Sequence, residues 1–214
     1  ILVEDGRFCA VPTTLARLEG SHRDLLAAER TFLNLLGVLG GTATLTRRFV
    51  EAAGPTCAVM DTRKTWPAYR RLQKYAVRCG GGRNHRFHLA DGILLKDNHR
   101  HDELGLAALV TRARAEHPGI ALVIEVDDLE QLDRALPLQP DRVLLDNFDP
   151  DQVAQARARR DREGPKVGLE VSGGVDLTSV AALAAAGADC VSVGALTHSA
   201  PVWDVGLDRE TGPA

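Results

Sequence analysis

From residue 57 onward, six short apolar runs, each closed by a polar or charged group, limit the folds open to this chain. They are Cys57–Met60 before Asp61-Thr62-Arg63-Lys64, Ile93–Leu95 before Lys96-Asp97-Asn98-His99, and Ala121–Ile124 before Glu125. Val143–Leu145 then precedes Asp146-Asn147, Val167–Leu169 precedes Glu170 and Ser172-Gly173-Gly174, and Val191–Val193 precedes Gly194. Helix-patterned stretches separate most of them, at Leu104–Glu116, Leu129–Leu136, Pro150–Arg160 and Ser179–Ala186. Steps of roughly 20 to 35 residues suit βα repeats, because parallel strands need a long crossover. A doubly wound open sheet gives the same alternation but gathers function at one switch point. Here chemistry-bearing residues follow nearly every run, which is where an α/β barrel builds its site. Ordinary loop residues account for one polar strand end, but six in series argue against that account.

The front of the chain reads differently. Asp24, Leu25, Leu26, Glu29, Leu33 and Leu36 keep a helical rhythm within residues 21–53. Gly37, Gly40 and Gly41 are expected to interrupt it, with a second helix from Thr44 to Ala53 ending at Gly54-Pro55. Ile1–Glu19 reads as short strands and a turn. The first residue is Ile rather than Met, so an upstream segment is expected to be missing.

The formal net charge of −3 conceals an asymmetry. Between residues 61 and 100, ten basic residues face only Asp61, Asp91 and Asp97, a local +7 against −10 elsewhere. Such a field suggests an anionic ligand. For Arg70, Arg71 and Lys74 a solvated helix face is the favoured reading. Of the 26 basic residues, 22 are arginine, the residue best suited to carboxylates and phosphates. With 4% aromatics and no recognisable binding motif, nucleic acid is not an expected partner. No run of 18 apolar residues suggests a membrane helix, and no secretory pattern opens the chain. Cys9, Cys57, Cys79 and Cys190 fit neither a disulfide scaffold nor a zinc site, so reduced thiols in a cytoplasmic enzyme are expected.

Several residues suggest chemistry. Ser172-Gly173-Gly174 and Val193-Gly194-Ala195 follow late strands, where glycine lets backbone approach a phosphate, although ordinary turns use the same residues. Glu125 and Asp146 are suited to holding Mg²⁺ with waters and ligand phosphates, to general acid–base work, or to pairing with arginines. Lys96 is suited to a Schiff base or to charge pairing with an anion. His85 and His99 are as easily structural.

Taken together, these motifs resemble the quinolinate phosphoribosyltransferases. The likeness is carried by Glu29-Arg30-Thr31, Asn34-Leu35, Gly41–Thr44, Asp61–Thr65, Lys74–Val77, Cys79–Gly82, Asn84-His85-Arg86 and Lys96–His99. It continues through Glu125-Val126-Asp127, Leu144–Phe148, Ser172–Gly174 and Val193–Ser199, in order, from about residue 23 to Asp208.

The resemblance implies an incomplete α/β barrel over residues 42–196. It also implies the remnant of an N-terminal α/β sandwich domain over residues 1–41, with 197–214 packed against that remnant. It implies transfer of phosphoribosyl from phosphoribosyl pyrophosphate to quinolinate, with Mg²⁺, giving nicotinate mononucleotide, pyrophosphate and CO₂. By resemblance, Arg30, Arg63, Lys64, His85, Arg86 and Lys96 bind quinolinate, with Arg30 acting across a homodimer in the partner's site. Lys96, Glu125 and Asp146 take the catalytic roles, and Glu125 and Asp146 lie near the metal, directly or through water and cosubstrate. Ser172, Gly173, Gly174, Gly194 and His198 fall at the 5′-phosphate.

The chain departs from the family pattern in places. Val123-Ile124-Glu125 replaces a run with an additional acid, and Trp66, Ala68, Gly40 and Thr42 also differ. Family chains carry a longer segment ahead of the position of Ile1. Two rival expectations remain: a paralogue associated with molybdenum transport that uses another acceptor, and an inactive fragment.

Overall fold

A computed structural model describes residues 1–10, 12–96 and 105–209. Helix α1 spans His22–Ala53, followed by β1 (Ala58–Met60), α2 (Arg70–Cys79) and β2 (Ile93–Leu95). Next come α3 (Gly105–Glu116), β3 (Leu122–Val126), α4 (Leu129–Ala135) and β4 (Arg142–Asp146). The chain continues through α5 (Pro150–Glu163), β5 (Gly168–Ser172), α6 (Val180–Ala186), β6 (Cys190–Ser192) and α7 (Ala195–His198). All six expected strands are present within a few residues of their apolar runs. They pair in parallel in the order β1-β6-β5-β4-β3-β2. The sheet is an incomplete α/β barrel, with a seam between β1 and β2.

Local chemistry explains the helix starts. Ser21 caps α1 by accepting the Asp24 amide, and Asp128 caps α4 by accepting that of Gln131. Asp149 and Gln152 form a reciprocal capping box on α5, with Pro150 in its first turn.

Strand alternation then separates two environments. Val59, Leu122, Ile124, Val126, Val143, Leu145, Leu169, Val171 and Val191 pack outward into the buried core beneath the helices. The alternate positions include Glu125, Arg142, Leu144, Glu170 and Ser192 and face the barrel interior. Arg142 proves the direction. Its Nη1 lies 3.4 Å from Met60 Sδ, and the sheet order places β5 and β6 between their strands, so the contact must cross the inside.

Three expectations need correction. The glycines at 37, 40 and 41 do not interrupt α1, which runs unbroken from 22 to 53. They make room for the segment after α7: a Cβ on Gly41 would lie 1.9 Å from Pro201 O, and one on Gly40 would strike the Trp203 ring. Trp203 also donates its backbone amide to Gly37 O and its indole N–H to Thr44 Oγ1, each at 3.0 Å. Second, the described part of residues 1–19 contains no strand; its Leu2 amide bonds Leu15 O, and Tyr75 of α2 bonds Asp5. Third, Glu125 lies inside β3 and Asp146 is the last residue of β4, rather than each following its strand.

Among the described residues, no helix is long and apolar enough to cross a membrane.

Candidate active site

The carboxyl ends of the strands hold most of the residues singled out from sequence. Lys96, directly after β2, meets Glu125 of β3: Nζ is 2.7 Å from Oε2 and 3.0 Å from Oε1. Glu125 therefore pairs with a lysine, and its side chain is only 10% exposed. Arg86 extends toward the same region, with its Nη1 donating to Gly92 O at 3.0 Å. Burial lowers the Arg86 guanidinium from its usual range, and the nearby Arg63 charge adds to this, against the pull of Glu125 and Glu170. Arg63 itself is exposed.

Sequence reasoning missed a buried charge cluster deeper in the barrel. Glu170, on β5, is fully buried and accepts from Ser192 Oγ on β6. Its Oε2 takes Arg142 Nη1 at 2.7 Å, and its Oε1 lies 3.3 Å from His85 Nε2. Burial alone would raise this carboxyl. Hydrogen bonds from His85 and Ser192, together with the Arg142 charge, outweigh it and hold Glu170 at about 2. The Nδ1 of His85 accepts the Arg86 amide at 2.8 Å, so Nε2 carries the hydrogen that faces Glu170. The available signal was the position of Glu170 directly after the apolar run at Val167–Leu169.

A second omission is Asp61, which is buried with Lys74. The solvated-face reading fails for Lys74, which is fully buried and donates to Asp61 Oδ1 and to His85 O. It also fails for Arg70, half-buried and donating to Phe87 O at 2.9 Å; Arg71 alone is exposed as expected.

The proposed phosphate loops lie beside one another. Ser172 pairs with Asp146 in the β4–β5 register, and Asn147 N donates to Ser172 O at 2.8 Å. Gly173 and Gly174 take φ values of +88° and +59°, which suits glycine. After the neighbouring strand β6, a Cβ on Gly194 would lie 3.0 Å from His198 Nε2 and 3.2 Å from Lys64 Cδ. Lys64 thus reaches the corner formed by Gly194 and His198. Arg30 is exposed on α1, with Glu29 3.9 Å away. Asp97, Asn98 and His99 fall outside the described residues.

Buried thiols are poor nucleophiles here. Desolvation, with a contribution from Asp189, pushes Cys57 up to about 11; desolvation, with the Glu170 charge next, pushes Cys190 up to about 12. All four cysteines are free.

Comparison with known proteins supplies the decisive observation. The family model described as quinolinate phosphoribosyl transferase, C-terminal domain, matches residues 42–208. The chain belongs to the quinolinate phosphoribosyl transferase family. It is 46% identical over 207 residues to the carboxylating nicotinate-nucleotide pyrophosphorylase of Mycobacterium leprae, covering 96% of this chain and 73% of that relative. A probable carboxylating nicotinate-nucleotide pyrophosphorylase of Bacillus subtilis is 38% identical, with 96% and 71% covered. Among solved structures in the family, NadC from Streptococcus pyogenes superposes with a TM-score of 0.80 at 41% identity, covering 86% of this chain. The chain spans 65% of that solved protein, just under two thirds. Family membership agrees with the order of strand-end motifs and with the open barrel.

Proposed function

We propose that this chain carries the catalytic barrel of an enzyme that transfers phosphoribosyl from phosphoribosyl pyrophosphate to quinolinate with decarboxylation. The products are nicotinate mononucleotide, pyrophosphate and CO₂. The carrying observation is the cationic mouth of the barrel: Arg63 and Lys64 follow β1, Lys96 follows β2, and Arg86 is anchored to Gly92 O just ahead of β2. The fold holds like charges together at the barrel mouth, an arrangement that a bound dianion offsets. Quinolinate is a dicarboxylate, and guanidinium forks bind carboxylates bidentately.

On this reading Arg63, Lys64, His85, Arg86 and Lys96 orient quinolinate. Ser172, Gly173, Gly174, Gly194 and His198 hold the cosubstrate's phosphates. As the ribose–pyrophosphate bond breaks, positive charge grows on the sugar, and Glu125 and Asp146 stabilise it electrostatically. The ring nitrogen bonds the sugar and becomes cationic. The neighbouring carboxylate then leaves as CO₂; its bonding electron pair stays on the ring carbon, stabilised by the adjacent cationic nitrogen, and that carbon takes up a proton from solvent to give nicotinate mononucleotide. Orientation of the two substrates and electrostatic stabilisation carry the reaction, and no protein nucleophile is required.

Glu125 and Asp146 lie on neighbouring strands and offer the hard oxygen donors that Mg²⁺ prefers. Among the described residues, no group of three or more His, Cys, Asp or Glu could hold a metal ion alone. Mg²⁺ would therefore be held by these two carboxylates together with cosubstrate oxygens and water, and would neutralise charge on the departing pyrophosphate.

We further propose a cytoplasmic homodimer in which Arg30 completes the partner's pocket. Its exposure on α1 supports this. In that reading residues 1–41, with 197–214 packed on them, are the remnant of a second domain. Release of labelled CO₂ and formation of nicotinate mononucleotide test the reaction. Nicotinate used as acceptor, with no CO₂ released, would favour the paralogue. A dimer that forms no product from either acid would overturn the proposal. Mixing Arg30→Ala and Arg86→Ala variants should restore activity through hybrid dimers, and no restoration would refute sharing of Arg30.

A further inference from the structure

Between α2 and β2 the chain runs as a strap past the free edge of β1. Arg83 bonds that edge: its amide donates to Val59 O at 2.8 Å, and its carbonyl accepts the Asp61 amide at 3.2 Å. Beyond Arg83 the ladder stops, yet the next residues carry His85 and Arg86. Their backbone must be fixed by something other than strand pairing.

Asp61 and Lys74 supply the fixing. The two side chains form an ion pair with no exposed surface. Asp61 Oδ1 also accepts the His85 amide at 2.9 Å, while Lys74 Nζ donates to the His85 carbonyl at 2.8 Å. One residue of the strap is therefore gripped on both its N–H and its C=O by the two halves of one ion pair. Asn84 tightens the grip through Asp61 Oδ2 and the Lys74 carbonyl. Arg70, one turn earlier on α2, takes the Phe87 carbonyl, and the Phe87 ring lies 4.9 Å from Lys74 Nζ.

Stability alone does not account for this pair. Apolar residues of similar volume often serve a core as well as or better than a buried ion pair does. The two backbone bonds give the pair a positional task that apolar residues cannot perform.

We propose that Asp61 and Lys74 are positioning residues: they clamp the His85 peptide and thereby set the placement of Arg86 and the affinity for the acid substrate. This rests on the assignment of Arg86 to quinolinate, so its test separates the two. Lys74→Met alone would bury an uncompensated carboxylate and threaten folding. The test variant is therefore Asp61→Asn/Lys74→Met, which removes both charges while the introduced carboxamide retains an acceptor oxygen for the His85 amide.

The double variant should keep the wild-type circular dichroism spectrum. Its quinolinate dissociation constant should rise at least about tenfold, with phosphoribosyl pyrophosphate binding changed less than about twofold. Hydrogen exchange at the amides of residues 84–87 should accelerate, while β3, β4 and β5 remain protected. Unchanged quinolinate affinity in a folded variant would overturn the clamp. So would equal weakening of both ligands, which would point to general loosening. If the wild-type chain itself fails to bind quinolinate, the proposed substrate is wrong. Exchange at residues 84–87 then decides the clamp by itself: local acceleration supports it and unchanged protection refutes it.

Discussion

Lys96 Nζ and the Glu125 carboxylate share an ion pair of 2.7 and 3.0 Å between the end of β2 and the fourth residue of β3. In the proposed reaction these groups serve different ends, the lysine facing the acid substrate and the carboxylate facing the sugar. Glu125→Gln should therefore lower kcat by about a hundredfold, the order expected when one preorganised electrostatic contact is lost. Lys96→Met should act mainly on quinolinate affinity. Steady-state kinetics with each substrate varied separate these outcomes, and equal effects on KM and kcat from both variants would contradict the division of roles.

Glu170 makes stability depend on pH in a definite direction. Its folded value of about 2 lies below the ordinary 4.5, so the folded state favours the ionised form. The contribution is complete above about pH 4.5 and is lost as pH falls toward about 2. For a buried group the size is roughly 3 kcal/mol. Denaturant midpoints measured from pH 6 down to pH 3 should fall in the wild type, and more gently in Glu170→Gln. Parallel curves would show that Glu170 does not supply the acid sensitivity.

Gly41 tests how the C-terminal segment is held. Alanine in a helix interior gains about 1 kcal/mol over glycine. The added Cβ would lie 1.9 Å from Pro201 O, a backbone atom that no rotamer change can move aside. Overpacking of this kind costs about 1–3 kcal/mol, so Gly41→Ala should lower the unfolding midpoint despite its better propensity. Trp203 should become more solvent-exposed, seen as a red shift of its fluorescence. At Gly40 the obstacle is the Trp203 side chain, which can turn, so Gly40→Ala should cost less.

The strands and the cationic mouth were legible because apolar runs and strand-end charges are local patterns. What escaped depends on distant partners. Lys74 sits on a helix full of charges and carries no local mark of burial; it is buried because the strap returns over it. Gly40 and Gly41 look like helix breakers until Trp203, 159 positions beyond its partner Thr44, is seen against them. Arg142 opens an apolar run and Glu170 follows one, and only the register across β4, β5 and β6 brings them together with Ser192. Glu125 was placed one step too late because Val126 extends its strand.

Gly173 joins the proposed phosphate loop to the acidic strand end, so a single methyl group there should affect both. At φ +88° an L residue is strained by about 1–2 kcal/mol. A Cβ would also lie 2.9 Å from the Asn147 amide and 2.2 Å from Asn147 Oδ1. Asn147 cannot withdraw without consequence. Its amide bonds Ser172 O at 2.8 Å, and its side chain donates to Asp146 Oδ2 at 2.9 Å. Gly173→Ala should therefore displace Ser172 and Asp146 together while leaving the Arg63–Arg86 side of the mouth intact. Calorimetric titration should show phosphoribosyl pyrophosphate binding weakened by at least about tenfold, or 1.4 kcal/mol, with quinolinate affinity nearly unchanged. Ser172→Ala, which removes a hydroxyl but no backbone geometry, should cost less than Gly173→Ala. If the order were reversed, the side-chain hydroxyl, and not the left-handed turn, would carry phosphate recognition.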